Sequence, residues 1–163
     1  MLIVDIQLKK SGELCENHAV KWLSVQNYET GEKCYNISLS HGMSSIAAFL
    51  IRLYQLNFET ERVVKLITQT ITYILDQITY TEGSESYFPS YSRESNAGNF
   101  NSRLGWCYGD LGIAHVLWQA AVSLKIKEWE DTAIQILLHN SNRRDLQKND
   151  IIDLKFPTSY IVT

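Results

Sequence analysis

Cys107 is the residue whose type and position most plainly invite chemistry. It lies in Arg103-Leu104-Gly105-Trp106-Cys107-Tyr108-Gly109-Asp110-Leu111-Gly112, where a long polar loop gives way to an apolar helix. The first N–H groups of a helix are unpaired and its dipole favours anions, so a thiol at such a junction suits a nucleophile, a redox centre or a metal ligand. The same pattern also suits a tight glycine turn around a buried cysteine. The spacing leaves both open.

The rest of the chain narrows the setting. With 163 residues, 45% apolar and 20% charged, it is long enough for one globular domain with a core. A formal net charge of -3 and scattered Lys and Arg make no basic stripe, so nucleic acid is not an expected partner. No apolar run is long enough to span a bilayer, and Asp5 interrupts Met1 to Val4 before a signal segment forms, so the expected location is cytoplasmic. Cys15, Cys34 and Cys107 are odd in number and form no CxxC pair, which leaves free thiols or a metal ligand rather than a disulfide framework.

Helices must position the motif. Residues 1–10 read as a short strand or a frayed end. Leu14, His18, Trp22 and Val25 share a helical stripe between Glu13 and Asn27, with His18 at the edge of the core. A small-residue turn, Ser38 to Ser45, opens a helix carrying Ile46, Ala47, Leu50 and Leu53. The acid-rich turn Glu59-Thr60-Glu61 starts another, running to about Tyr80 with Val63, Ile67, Ile71 and Ile74 on one face. From Thr81 to Gly105 the periodicity stops. Tyr87, Phe88, Tyr91 and Phe100 in that stretch predict an ordered loop packed over a cavity. Two further helices follow, from the Cys107 motif to Leu124 and from Lys127 to Asn140. Beyond them come the polar turn Ser141-Asn142-Arg143-Arg144-Asp145 and a last segment, Asp150 to Thr163. The pattern is all-α, built of helix pairs.

The pairs repeat. Ser40 to Leu50 aligns under Cys107 to Leu117 without a gap and matches Gly, Ile, Ala and Leu, with Ser45 opposite Gly112. His41 then falls opposite Tyr108. The ends of equivalent inner helices should converge on one cavity. A weaker third copy, Lys155 to Val162, rests mainly on Ile161.

Three motifs together resemble the lanthionine synthetase C-like family, the cyclases of lanthipeptide biosynthesis: Ser40-His41-Gly42, Arg103-x-x-Trp106-Cys107-Tyr108-Gly109 followed by Leu111-Gly112-Ile113-Ala114, and Asn142-Arg143-Arg144-Asp145. The resemblance runs from about Cys34 to Asp153. It implies helical hairpins forming part of an α/α toroid, an incomplete ring over residues 1–163 as one domain. It also implies a central zinc ion that binds a cysteine of a dehydrated precursor peptide as thiolate, for addition to dehydroalanine or dehydrobutyrine. Residue by residue, Cys107 is then a zinc ligand, His41 a general acid/base, and Arg103 and Tyr108 line the site, with Arg103 stabilising negative charge.

The chain departs from that pattern in one respect that matters. The family's zinc site takes a second Cys and an adjacent His from a Cys-His-Gly turn, and no Cys-His dipeptide occurs here. One protein ligand does not hold zinc tightly. Asp110 sits too close to the glycine turn to serve as the family's aspartate. The expectation is therefore a fragment or degenerate form of a cyclase, inactive alone; the alternative is a non-catalytic helical-repeat domain that binds the precursor peptide or a lanthipeptide-modifying enzyme. An incomplete ring further predicts apolar helix edges and self-association. Glycoside chemistry on Glu82, Glu85 and Glu94 is disfavoured, because no spacing recommends a pair.

Overall fold

Each glycine turn of the repeat starts a helix, and each of those helices folds back through a second one. The computed structural model describes residues 12–26, 31–89, 91–95 and 101–145. Residues 1–10, Phe100 and the third repeat copy lie outside them. Helices α1 (Met43–Gln55) and α2 (Thr60–Asp76) form the first hairpin, and α3 (Asp110–Leu124) and α4 (Lys127–Ser141) the second. Packing is closest within each hairpin, and α1 also packs on α3, while α2 touches α3 only lightly. Thus α1 and α3 form an inner row and α2 and α4 an outer one, an arc of an α/α toroid.

The core follows the apolar stripes. Ala47, Leu50 and Ile51 of α1 meet Val63, Ile67, Ile71 and Ile74 of α2, and Ile113, Ala114, Val116 and Leu117 of α3 continue the layer toward Trp129, Ala133 and Ile136 of α4. Burying each large aliphatic side chain stabilises the fold by about 1.5–3 kcal/mol. Helix α2 needs that packing. Its β-branched residues have low helix propensity, and the hydroxyls of Thr68, Thr70 and Thr72 hydrogen-bond back to carbonyls of the preceding turn. Lys125, in the left-handed region at φ 58°, ends α3 and lets the chain reverse into α4.

Between Gly12 and Cys34 the expected helix is replaced by two small hairpins. Strand β1 (Gly12–Leu14) pairs antiparallel with β2 (Val20–Trp22), in register Gly12 with Trp22 and Leu14 with Val20; β3 (Val25–Gln26) pairs with β4 (Lys33–Cys34). The spacing of Leu14, His18 and Trp22 imitated a helical stripe. The alternation that governs instead is Val20 and Trp22 buried with Lys21 between them half-buried. His18, expected at a core edge, is exposed in the reversal at φ 64°. Helix α2 also ends earlier than expected, at Asp76 rather than near Tyr80.

The hairpins are fastened to the helices by polar contacts. The Tyr35 hydroxyl donates to Glu13 at 2.8 Å, the Tyr73 hydroxyl donates to Glu94, and Lys21 lies 4.1 Å from the Tyr35 ring centroid while pairing with Glu94. Burial first, then the neighbouring carboxylates, push both tyrosine hydroxyls well above their ordinary range.

On the far side of the second hairpin, Trp118, Val122, Ile134 and Leu138 leave apolar surface exposed, Leu138 by 62%. Among the described residues, no helix is long and apolar enough to cross a membrane.

Candidate functional site

The two glycine turns lie side by side. The backbone N–H of Ser40 donates to the Cys107 carbonyl at 3.0 Å, and the His41 and Tyr108 rings sit with centroids 5.7 Å apart, tilted by 45°. These are partners in the sequence repeat: Ser40 aligns with Cys107 and His41 with Tyr108. The convergence expected from the repeat is therefore met at the level of named side chains.

Close backbone approach explains the glycines. A Cβ on Gly42 would stand 2.2 Å from the Asn36 carbonyl oxygen, and one on Gly109 would stand 1.9 Å from that of Arg103. Both residues have extended backbone, so the requirement is space and not a left-handed φ. Gly112 admits a further contact: its Cβ would meet the Trp106 carbonyl oxygen at 2.0 Å and the Leu39 Cβ at 2.9 Å. That close fit presses the Trp106-Cys107-Tyr108 turn onto α3 and seats the first turn's Leu39 beside it.

Of the four residues singled out from the sequence, His41, Arg103, Cys107 and Tyr108 are all exposed. His41 and Tyr108 are in contact. Arg103 shares the turn, where its main chain bridges to Gly109 and its side chain folds over Gly105. Trp106, half exposed, lies against His115 with centroids 4.7 Å apart. Cys107 is a free, exposed thiol, while Cys15 and Cys34 are free and half-buried. Among the described residues, no group of three His, Cys, Asp or Glu side chains is placed to hold a metal ion. The described residues do not by themselves fit a zinc site, because a lone cysteine such as Cys107 would offer one ligand where catalytic zinc takes three from protein.

His41 and Tyr108 face an open cleft of about 570 Å³. Its far wall comes from the hairpin segment, Trp22, Leu23 and Cys34, and from Tyr91 of the long loop. That loop is held by the Ser92 N–H donating to the Tyr35 carbonyl and by the Tyr35 N–H donating to Ser95 Oγ, both at 3.0 Å. Trp22 is 4% exposed, and its indole N–H has no hydrogen-bond partner among the described residues. An orphaned buried donor of this kind costs about 1–3 kcal/mol.

Sequence reasoning missed the residue that fixes the site's scaffold. Asp110 is fully buried, and its carboxylate accepts the Tyr87 N–H at 2.8 Å, the Phe88 N–H at 3.2 Å, the Ser102 hydroxyl at 2.6 Å and the Asn140 amide at 3.2 Å. Arg143, read from the sequence as part of a polar turn, is buried beside it, with its guanidinium 3.5 Å from the carboxylate and also donating to Asn140 Oδ1 and the Ser102 carbonyl. Burial pulls the Arg143 pKa down, and Asp110 works against that pull. The network joins the long loop, the Cys107 turn and the end of α4. Its one sequence sign is an aspartate immediately after the helix-starting glycine, which a dipole argument alone would explain.

The described part of the long loop is packed against the core, as Tyr87, Phe88 and Tyr91 predicted; Phe100 lies outside the described residues. Phe88 is fully buried, and Tyr87 stacks on Tyr80 at 4.3 Å with His139 edge-on to both.

Comparison with known proteins places this arrangement. Among solved structures, nisin cyclase is similar with a TM-score of 0.58 at 18% identity, over 68% of this chain and 29% of that one. The likeness is one of fold, and this chain spans less than a third of that protein's length. No curated protein sequence matches. The family model described as lanthionine synthetase C-like protein matches residues 3–152. With that match across nearly its whole length, on an arc of α/α toroid, the chain belongs to the lanthionine synthetase C-like protein family.

Proposed function

We propose that the chain carries one side of a cyclase site, as a fragment or degenerate form of a zinc-dependent lanthionine synthetase. In the complete reaction, a cysteine thiolate of a dehydrated precursor peptide adds to a dehydroalanine or dehydrobutyrine and closes a thioether ring. The observation that supports this reading is the meeting of the two turns: His41 against Tyr108, with Cys107 exposed on the same turn, in a member of this family.

The addition forms a sulfur–carbon bond and leaves an enolate that must take a proton at its α-carbon. His41, at the mouth of the cleft, is the group that holds and delivers that proton, Tyr108 orients it, and Arg103 stabilises the developing oxyanion. Zinc would activate the substrate thiol, with Cys107 as one ligand. The described residues do not complete such a site, so on this reading the isolated chain holds zinc weakly and closes no rings.

Metal analysis after equilibration with zinc should find well under one zinc per chain, and a dehydrated cysteine-containing peptide should emerge unchanged. One tightly held zinc per chain, lost in Cys107→Ala, would overturn the degenerate form and favour ligands supplied from elsewhere.

The second reading is a non-catalytic helical-repeat domain that binds the precursor peptide or a lanthipeptide-modifying enzyme. The open cleft supports it. Calorimetry with leader-type and core-type peptides that gave no heat with folded protein would end it. The exposed apolar face of α3 and α4 supports self-association with a second copy, which sedimentation over a concentration series would read.

A further inference from the structure

The repeat sets each turn against the one that follows it. Leu39, just before the first turn, sits beside Gly112 in the second, and the Ser40 N–H donates to the Cys107 carbonyl. Trp106 is the residue of the second turn that aligns with Leu39. It is half exposed, and the apolar face of Trp118, Val122, Ile134 and Leu138 lies open on the same hairpin. The chain leaves the described residues at one end of that face. The last turn of α4, which carries Leu138, meets the first turn of α3 where Asn140 donates to Asp110, and Arg143 is buried there, paired with Asp110 and donating to the Ser102 carbonyl.

The chain beyond Asp145 has the composition and the reach to cover this face. Residues 146–163 include Ile151, Ile152, Phe156, Tyr160 and Ile161. From Asp145 to Phe156 an extended chain spans up to about 35 Å, against about 22 Å for the whole of the 15-residue α3. In the third repeat copy, Lys155 to Val162, Tyr160 falls opposite Gly112, the position that receives Leu39. The register that brings Leu39 to Gly112 therefore brings Trp106 to Tyr160. Pro157 stands opposite Gly109, so the close backbone approach of the earlier turns is not repeated and the contact is one of side chains.

We propose that residues 155–162 cover the open edge of the arc within the chain itself, with Tyr160 against Trp106, and compete there with a second copy. A tether this short holds the segment near the face at an effective concentration on the order of 1 mM, which a second copy must exceed. Zinc and ring closure play no part in this contact, so its failure leaves the cyclase reading intact.

The test uses the full chain labelled with ¹⁵N at tryptophan, the Trp106 indole signal being assigned by its loss in Trp106→Phe. Expected in Tyr160→Asp is a move of that signal with those of the buried Trp22 and Trp129 in place, and self-association about tenfold tighter by sedimentation. A Trp106 signal that stays in place overturns the proposal, as does self-association that Tyr160→Asp leaves unchanged, which would give the face to the second copy. A chain with benzoylphenylalanine in place of Tyr160 gives a reading that does not depend on the charged variant. Irradiated at a dilution where the chain is monomeric, it should cross-link within the chain to residues 103–122. Links elsewhere in the chain overturn the proposal equally.

Discussion

Where the first turn ends in Gly42, the next residue is Met43, fully buried and apolar; where the second ends in Gly109, the same position is Asp110, fully buried and acidic. The two turns share a backbone device, a glycine against an upstream carbonyl, yet they are locked differently. Around Met43 the bonds are short-range and neutral: the Ser38 N–H donates to Asn36 Oδ1 at 2.7 Å, and the Ser44 hydroxyl to the Ile37 carbonyl at 2.6 Å. Around Asp110 they reach the long loop and the end of α4 and involve a charged pair. The first turn is thus closed largely by bonds among neighbouring residues, with Ser40 reaching across to the Cys107 carbonyl, while the second draws its side-chain bonds from distant segments. A repeat conserves the shape a helix start needs and leaves the means of holding it free.

Substitutions at the two equivalent positions should separate these means most strongly. Asp110→Ala leaves the Arg143 guanidinium buried without its counter-charge, a loss of about 4 kcal/mol. Met43→Ala costs about 3 kcal/mol through a cavity alone. Urea denaturation measures both. Proteolysis within 81–105 should accelerate for Asp110→Ala and not for Met43→Ala, and equal cleavage would break the comparison.

The glycines should behave alike. Gly42→Ala and Gly109→Ala each force a Cβ into a carbonyl oxygen and should lose about 3 kcal/mol, read as a fall in thermal midpoint. A large effect at only one would mean that the turns do not share their backbone requirement. Ser44→Ala removes one buried hydroxyl donor from the first turn and should cost about 1 kcal/mol, without changing the reactivity of Cys107 toward a thiol reagent.

The smallest effect lies outside both turns. Glu13 is held below its usual pKa of 4.5, first by the Tyr35 hydroxyl and then by Lys33. A lowered carboxyl pKa stabilises the fold fully above the usual value, and that contribution fades as pH falls through the folded value. The Lys33 pair is largely exposed, so Glu13→Gln should cost no more than about 0.5 kcal/mol at neutral pH, and less as the acid limb is entered. Denaturation curves at pH 7 and pH 3 give the difference.

Much of this was legible in the chain. The helix pairs, their inner glycine starts and the pairing of His41 with Tyr108 followed from an ungapped repeat, because a helix that buries one stripe must repeat its apolar positions. The hairpins were not legible. Leu14, His18, Trp22 and Val25 satisfy a helical period by coincidence, and short paired strands draw their stability from the surface they cover rather than from local pattern. Arg143 was misplaced for a related reason: an arginine in a polar turn reads as solvated unless a buried carboxylate is known to face it.

By itself the sequence determined the helical repeat, the family and the Cys107 turn, since these depend on residue types at short, regular spacings. Only the tertiary structure decided that Asp110 and Arg143 anchor that turn, that His41 meets Tyr108 beside a cleft, and that the buried Trp22 indole has no acceptor among the described residues. Burial and hydrogen-bond satisfaction are properties of what surrounds a group, and here the surroundings come from segments far apart in the chain.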